Sequence, residues 1–390
     1  MKTAVSITRI IVGVLFIVSG VVKANDPLGL SYKMQEFFEI WNTGLAGSDF
    51  FLKAALIGLF HFLHAHSLAL SVIMIALEII AGAALLIGWR KTFVLNSLLV
   101  LIVFFTFLTA YAYFSGKFKN CGCFGDCLPI EPFTSFMKDL VLLVLIGFLI
   151  LFRKYIQPSF TRNARSLILA TVMFLSVGLQ WYALNYLPPV DCLPFKKGNN
   201  IAEKMKNPPG SIPDSFAIRF VYQREGKNHE FSPENLPSDL EKYTFVDRVD
   251  KIVRKGNAEP PIKGFTLSGE NMDSTSIVLE QKEAFLLFWE DVNPSKAELW
   301  LADFKQLRAE LEKRNIPLYV VTPATVETEA FLSSAGIQGL QVFGCDNTAV
   351  RTAARTNPTL YHMGKGTVKD KFSFREMDNA IAKLKRHNFL

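Results

Sequence analysis

The chain of 390 residues is half hydrophobic, contains 34 Phe and has a formal net charge of +7. The apolar residues crowd into residues 1–187, whereas 188–390 read as an ordinary soluble mixture, so a membrane half followed by a soluble half is the simplest account. The charge does not point to nucleic acid: no nucleic-acid motif accompanies it, and the basic residues are better explained as loop charges between apolar stretches.

Five stretches approach the ~20 apolar residues that a bilayer-spanning helix needs, at roughly 5–23, 67–89, 92–114, 136–152 and 166–187. Phe50–Leu63 is shorter, carries Lys53 and His61, and reads as an interfacial or re-entrant helix. With five spans, Lys2, Arg90, Lys91, Arg153, Lys154, Arg162 and Arg165 share one side, which the positive-inside rule makes cytoplasmic. The opposite side then receives the loop 24–66, the loop Cys121-Gly122-Cys123-Phe124-Gly125-Asp126-Cys127 and everything after residue 187. In a bacterium that side is the periplasm, where disulfides persist. A signal peptide cut after Val22-Lys23-Ala24 is the weaker reading of the N-terminus, because Arg9 interrupts the apolar core and further spans follow.

Arg9 lies two turns into the first span and Glu78 near the middle of the second. Charges at such depth face the bundle interior or each other. They read either as a proton or ligand site, or as an ion pair that fixes helix packing. Gly13, Ser19, Gly20, Gly82 and Gly88 would let helices approach closely. His61, His64 and His66 cluster near the second span, and an interfacial helix carrying amphipathic imidazoles explains them without a metal.

Several segments together resemble the DoxX/MauE group of membrane proteins. They are Thr8–Gly13, Ser19–Gly29, Leu77–Gly82 and, most specifically, Cys121–Asp126, in the same order over about residues 5–155. The resemblance implies a four-helix core, to which a fifth span and a large periplasmic extension are added here. It also implies a link to quinone-coupled sulfur redox or to periplasmic cofactor and disulfide maturation. Cys127 and Cys192 lie outside the family motif.

In the soluble part, Phe216–Tyr222 and His229–Phe231 flank a turn and predict a β-hairpin, and Glu259-Pro260-Pro261 predicts a boundary. Residues 263–390 alternate strand and helix signals. Ala284–Trp289 is a continuous apolar strand, and Lys296–Lys313 is a helix with Trp300, Phe304, Leu307 and Leu311 on one face. Pro317–Val321 and Leu340–Phe343 are further strands around the helix Val326–Ala335. Val350–Arg355 is a short helix, Val368–Phe372 a strand, and Phe374–Lys385 the closing helix. The order resembles a thioredoxin-like domain, with Pro358 at the position of that family's cis-proline. The segment Glu290–Ser295, where the family's dithiol falls, has no cysteine. Trp289, Asp291 and Pro358 would then line a partner-binding groove rather than a redox centre. Cys345 reads as a buried free thiol.

Three of the five cysteines fall within seven residues, Cys121–Cys127. Thiol–disulfide exchange, a structural disulfide and a metal site are all chemically open to them. Cys123–Cys127 can pair across a turn and Cys121–Cys123 only in a strained ring, which favours exchange. Cys192 follows the fifth span on the same side and could pair with Cys127. The C-x-C-x-x-x-C spacing matches no common zinc finger, so no metal site is assigned.

The sequence thus predicts a membrane α-helical bundle, with a four-helix DoxX-like core and a fifth transmembrane helix, followed by a periplasmic α/β thioredoxin-like domain. The divisions are 1–155, 156–187 (loop and fifth helix), 188–262 (linker with hairpin) and 263–390. The functional expectation is an inner-membrane protein in quinone-linked thiol–disulfide redox. Cys121 and Cys123 would be the exchanging pair, with Cys127 and Cys192 as resolving or structural partners and a membrane quinone as acceptor. The alternative is a non-enzymatic accessory subunit whose thioredoxin-like unit binds an envelope protein or complex. The lipid bilayer is the one partner common to both readings.

Overall fold

The computed structural model describes all residues except 48–49, 119–121, 123–124, 213–214, 225–226, 234, 238–239, 255, 257, 270–271, 294–296 and 387–390. Among the described residues, five helices are long and apolar enough to cross a membrane: α1 (Lys2–Ala24), α4 (Ser67–Ile87), α5 (Lys91–Ser115), α6 (Pro132–Leu151) and α7 (Arg162–Tyr186). Their boundaries fall within a few residues of the hydropathy pattern. Between the first two lie α2 (Pro27–Ala46) and the short apolar α3 (Lys53–Ala65).

The bundle core joins Val12 and Phe16 of α1 to Leu85 of α4, Leu98 and Ile102 of α5, and Ile146 of α6. The α1–α4 seam is closed by glycines. A Cβ on Gly82 would stand 2.8 Å from the Gly13 carbonyl oxygen, so any side chain there would push the two backbones apart. α4 ends at Gly88, whose φ of +68° allows the chain to turn and bring Gln157 against it.

The basic connections meet at one end of the bundle. Lys91 Nζ donates to the Ile156 carbonyl at 3.2 Å, the Ser159 amide donates to Ile87 at 3.2 Å, and Arg165 donates to Gly88 at 3.5 Å. Arg9 also belongs to this end. Its guanidinium donates to the carbonyls of Leu86 and Gln157 and to Ser159 Oγ, and so caps the exposed carbonyls of α4. Of the readings left open for Arg9 and Glu78, an ion pair between the two is not what forms; Glu78 pairs with Lys23 instead. α1 and α4 run antiparallel, so Arg9 stands beside Leu86, while Glu78 stands beside Ser19 and Lys23. Ten or more helical residues, at ~1.5 Å each, separate the two charges.

The C-terminal region contains two sheets. β1 (Ser215–Arg224), β2 (Lys227–Phe231) and β3 (Thr244–Arg254) form an antiparallel sheet in the order β2-β1-β3. The hairpin was expected and the third strand was not. The second sheet has the order β6-β5-β4-β7-β8, from β4 (Ala284–Phe288), β5 (Leu318–Thr322), β6 (Gln341–Gly344), β7 (Thr359–Gly364) and β8 (Thr367–Ser373). β4, β5 and β6 are parallel, and β7 and β8 are antiparallel to their neighbours. Leu286, Phe288 and Tyr361 fill one face of this sheet. Phe285, Leu287 and Leu360 fill the other, beneath α10 (Leu301–Glu312) and α13 (Met377–Arg386). Further α-helices among the described residues are α8 (Ile201–Lys204), α9 (Thr275–Leu279), α11 (Thr325–Ser334) and α12 (Asn347–Ala353). The Asn357–Pro358 peptide is cis.

The expected linker 188–262 does not run free of the α/β unit. Phe195 and Ile201 are fully buried in its core, and residues 198–201 pair with the β8 edge through Gly198 N–H to Val368 O at 2.8 Å and Ile201 N–H to Gly366 O at 2.8 Å. Covering an otherwise open sheet edge explains why this Pro- and Gly-rich stretch is ordered.

Candidate functional site at the cysteine end of the bundle

The end opposite the basic connections is assembled from the α1–α2 turn, the cysteine loop, the segment after α7 and the α/β unit. Asp26 caps α2, accepting from the Gly29 amide at 3.0 Å, and Pro27 supplies the preset backbone of the first turn. Cys127 and Cys192 form a disulfide that ties the cysteine loop to the segment following α7. Asn25 fixes that segment further, exchanging hydrogen bonds with the Val190 backbone at 2.8 and 2.9 Å. Gly122 lies against Lys33 of α2, where a Cβ would stand 2.9 Å from Lys33 Cγ, and its carbonyl accepts from the Gly125 amide at 3.1 Å. Cys121 and Cys123, which flank it, lie outside the described residues.

The α/β unit closes over this loop with the face that carries Pro358. Arg355, with 5% of its side chain exposed, pairs with Asp26 at 2.8 Å and with Asp126 at 2.5 Å. Glu290, at the end of β4, accepts from the Tyr32 hydroxyl and pairs with Arg351 at 2.8 Å. The guanidinium groups of Arg351 and Arg355 lie over the Tyr32 ring, at 4.9 and 5.6 Å from its centroid. Behind them, Lys371 pairs with Asp191 at 2.7 Å. Burial and the neighbouring Glu290 carboxylate push the Tyr32 phenol up. Burial alone would depress Arg355, but Asp26 and Asp126 outweigh it and hold the guanidinium above its ordinary value.

This arrangement corrects the expected groove. Trp289 is 2% exposed and packs edge-on against Trp300 and Phe331, so it belongs to the core and lines no groove. It closes a continuous apolar strand, and its ring follows that strand into the α10 side. Pro358 is also buried, and only Asp291 of the three is exposed. Asn357 holds the two segments together, accepting from the Glu290 amide at 3.0 Å and donating to the Asp291 carbonyl at 2.7 Å. Cys345 is buried, and burial pushes its thiol up to about 11, which makes it a poor nucleophile.

Two further features lie beneath the mouth. Within the bundle, Lys23 and Glu78 form a fully buried ion pair, with Ser19 donating to Glu78 at 3.2 Å and the Lys23 ammonium 4.6 Å from the Phe105 ring centroid. Lys138 lines the same small cavity and pairs with buried Asp139 at 2.6 Å, which Thr109 also contacts at 3.0 Å. Between α2, α3, α4 and α5 an apolar cleft of about 830 Å³ is walled by Phe38, Trp41, Phe60, Phe107 and Tyr111. The aromatic packing continues beyond it towards the cysteine loop: Tyr111 meets Phe118 at 6.1 Å, and Phe118 stacks on Phe37 at 4.1 Å. Among the histidines, His64 contacts Glu39 at 3.0 Å and His66 its own helix carbonyl at Phe62.

Sequence reasoning singled out Glu78 but missed Lys23, Asp139, Tyr32, Arg351 and Arg355. Lys23 was readable in part, since it follows Ser19 by one helical turn and ends an apolar run. Arg355 carried no local signal, because its partners lie 329 and 229 residues away.

Residues 1–152 match the family model described as Methylamine utilisation protein MauE, and residues 216–255 match one described as a domain of unknown function, DUF8463. No curated protein and no solved structure matches the chain. The five apolar helices and the match over residues 1–152 support a membrane protein whose N-terminal part is similar to the MauE family, followed by a sheet-containing C-terminal region.

Proposed function

Starting from a membrane protein whose N-terminal part is similar to the MauE family, we propose that it carries out quinone-linked thiol–disulfide exchange at the cysteine end of its bundle. The supporting observation is the Cys127–Cys192 disulfide, which engages two cysteines of this end with each other and leaves Cys121 and Cys123 as the pair for exchange. Phe38, Trp41, Phe60, Phe107 and Tyr111 would hold a membrane quinone in the aromatic cleft, where it would supply an acceptor for the two electrons and two protons that Cys121 and Cys123 lose on closing to a disulfide. The ring of a C-x-C disulfide is strained, so a thiolate of a client protein opens it readily and passes the oxidation on.

The basic end is read as cytoplasmic under the positive-inside rule, which places the cysteine end and the α/β unit in the periplasm of a bacterial inner membrane. The strand order supports a thioredoxin-like unit, and the absence of cysteine from Glu290–Ser295 leaves it without dithiol chemistry of its own. The cleft suits a quinone through its aromatic walls, a volume within the range of small-molecule sites, and ring packing that leads to Phe118, three residues before Cys121.

The test is the redox state of Cys121 and Cys123, trapped by alkylation in cells with and without quinone. The oxidised fraction falls several-fold on quinone depletion if the reading is right. A pair that stays fully oxidised in both conditions would sink it.

An accessory role is the second reading, in keeping with the methylamine-utilisation description of the matched family. It is favoured by the α/β unit's use of its cis-proline face to hold the bundle. A Cys121→Ser/Cys123→Ser variant that keeps full cellular function would decide for it.

A further inference from the structure

The basic end of the bundle carries more positive charge than its own packing uses. Residues 1–25, 79–125 and 140–190, which supply every segment of that end, contain no Asp or Glu. Its cations therefore have no carboxylate beside them, and among the described residues none of them is ion-paired. Three face inwards: Arg9, Lys91 and Arg165 donate to the backbone carbonyls of Leu86, Gln157, Ile156 and Gly88. These bonds hold the α4–α5 turn, the stretch after α6 and the first turns of α1 together as one cap. Five others, Lys2, Arg90, Arg153, Lys154 and Arg162, are exposed on it. Arg90 has a φ of +35°, in the region that favours glycine, and its guanidinium stands 5.2 Å from the Trp89 ring centroid. The Lys154 ammonium stands 5.2 Å from the ring centroid of Tyr155. Exposed apolar side chains flank the same cations along the chain: Phe93 follows Arg90, Leu151 precedes Arg153, and Phe160 precedes Arg162.

We infer that this end is a binding site for the headgroups of anionic phospholipids. All five exposed cations lie within three residues of the end of a long apolar helix, which is where a bilayer presents its phosphates. The guanidinium and ammonium groups take the phosphodiester, and the acyl chains lie along the exposed apolar side chains beside them. Trp89 and Tyr155 bring amphipathic rings to the same level. A soluble phosphate would use the cations and leave the apolar side chains next to them without a role. Charges that serve only to orient the chain during insertion would need neither a fixed cap nor an arginine in the backbone conformation of Arg90. The inference rests neither on the redox function proposed above nor on the direction in which the chain crosses the membrane, because it concerns whichever leaflet meets this end.

The test uses the full-length protein in detergent micelles that contain phosphatidylglycerol and phosphatidylcholine in equal amounts. The protein is captured and washed, and the lipids it retains are quantified by mass spectrometry. The parent is expected to retain phosphatidylglycerol at least about ten-fold over phosphatidylcholine, and to lose most of that preference at high salt. A cation near an anionic lipid surface changes affinity by about five-fold, so Arg90→Gln and Lys154→Gln are each expected to lower the preference by about that factor. Changing Arg90, Arg153, Lys154 and Arg162 together to Gln is expected to abolish it. Thermal unfolding in phosphatidylcholine alone is the folding control and is expected to be unchanged, because these side chains are exposed. Lys305→Gln, on the α/β unit, is expected to leave the preference as it is, and an equal effect there would reduce the site to net charge and overturn it. Glycerol phosphate, added as a soluble competitor, is expected to displace no lipid. Displacement by it would mark a soluble-phosphate site and overturn the lipid assignment. A parent without preference overturns the inference, and so does a fourfold variant that keeps the parent's preference, the outcome expected of charges that act only during insertion. Should the fourfold variant fail to fold, the two single variants decide: a lowered preference in both upholds the site, and an unchanged preference in either rejects it.

Discussion

Lys23 and Glu78 illustrate at residue scale what a charge inside a bundle requires. Each is almost wholly buried, with side-chain exposures of 3% and 1%, and each is satisfied by the other, by Ser19 and by the Phe105 ring. Removing one partner leaves an uncompensated charge, whereas removing both leaves an apolar seam that helices tolerate. Lys23→Met alone is therefore expected to cost about 3 kcal/mol or more, and Lys23→Met/Glu78→Leu together distinctly less. Thermal unfolding of the detergent-solubilised protein checks this. A double variant no more stable than the single one would refute the uncompensated-charge argument. The sequence exposed Glu78 because a carboxylate in an apolar run is conspicuous. It hid Lys23 because a lysine at the end of a span looks like an ordinary interfacial anchor.

At the scale of elements, α2 shapes the bundle mouth more than any span does. Its start was written in Asp26-Pro27, a cap followed by a residue suited to the first helical turn. It escaped notice because its apolar residues do not run continuously like those of a span. β4 was legible for the opposite reason: five consecutive apolar residues, all buried, are what a central strand requires. β3 was not, since Asp247, Arg248, Asp250 and Lys251 interrupt any alternating pattern, and residues 198–201 were not, since only the distant β8 edge gives them partners. Gly44, near the end of α2, lines the cleft, and a Cβ there would meet nothing within 4 Å. Gly44→Leu is thus expected to reach into the cleft from a position open at its Cβ and to improve α2 by up to ~1 kcal/mol in helix propensity. It should also weaken the quinone-dependent oxidation of Cys121 and Cys123. Alkylation trapping alongside a thermal scan reads both effects, and a stabilised variant with undiminished quinone response would place the quinone elsewhere.

Across the whole molecule, five spans among the described residues would, in the proposed orientation, send the basic end and the α/β unit to opposite sides, and the contacts group the elements accordingly. The disulfide, the Asn25–Val190 hydrogen bonds and the ion pairs of Arg355 with Asp26 and Asp126 join the α1–α2 turn, the segment after α7 and the α/β unit into one face. Arg9, Lys91 and Arg165 knit the basic end into the other. In the orientation proposed above, the positive-inside rule and the redox requirement of a persistent disulfide are independent grounds that agree. Lys154 and Lys305 are exposed on opposite sides of this division. A cysteine placed at position 305 is therefore expected to react with a membrane-impermeant maleimide in intact spheroplasts, together with any accessible thiols of the native loop. A cysteine placed at 154 is expected to react only in inverted vesicles. The reverse pattern would invert the protein in the membrane, expose its disulfide to the reducing side, and remove the grounds for periplasmic thiol chemistry altogether.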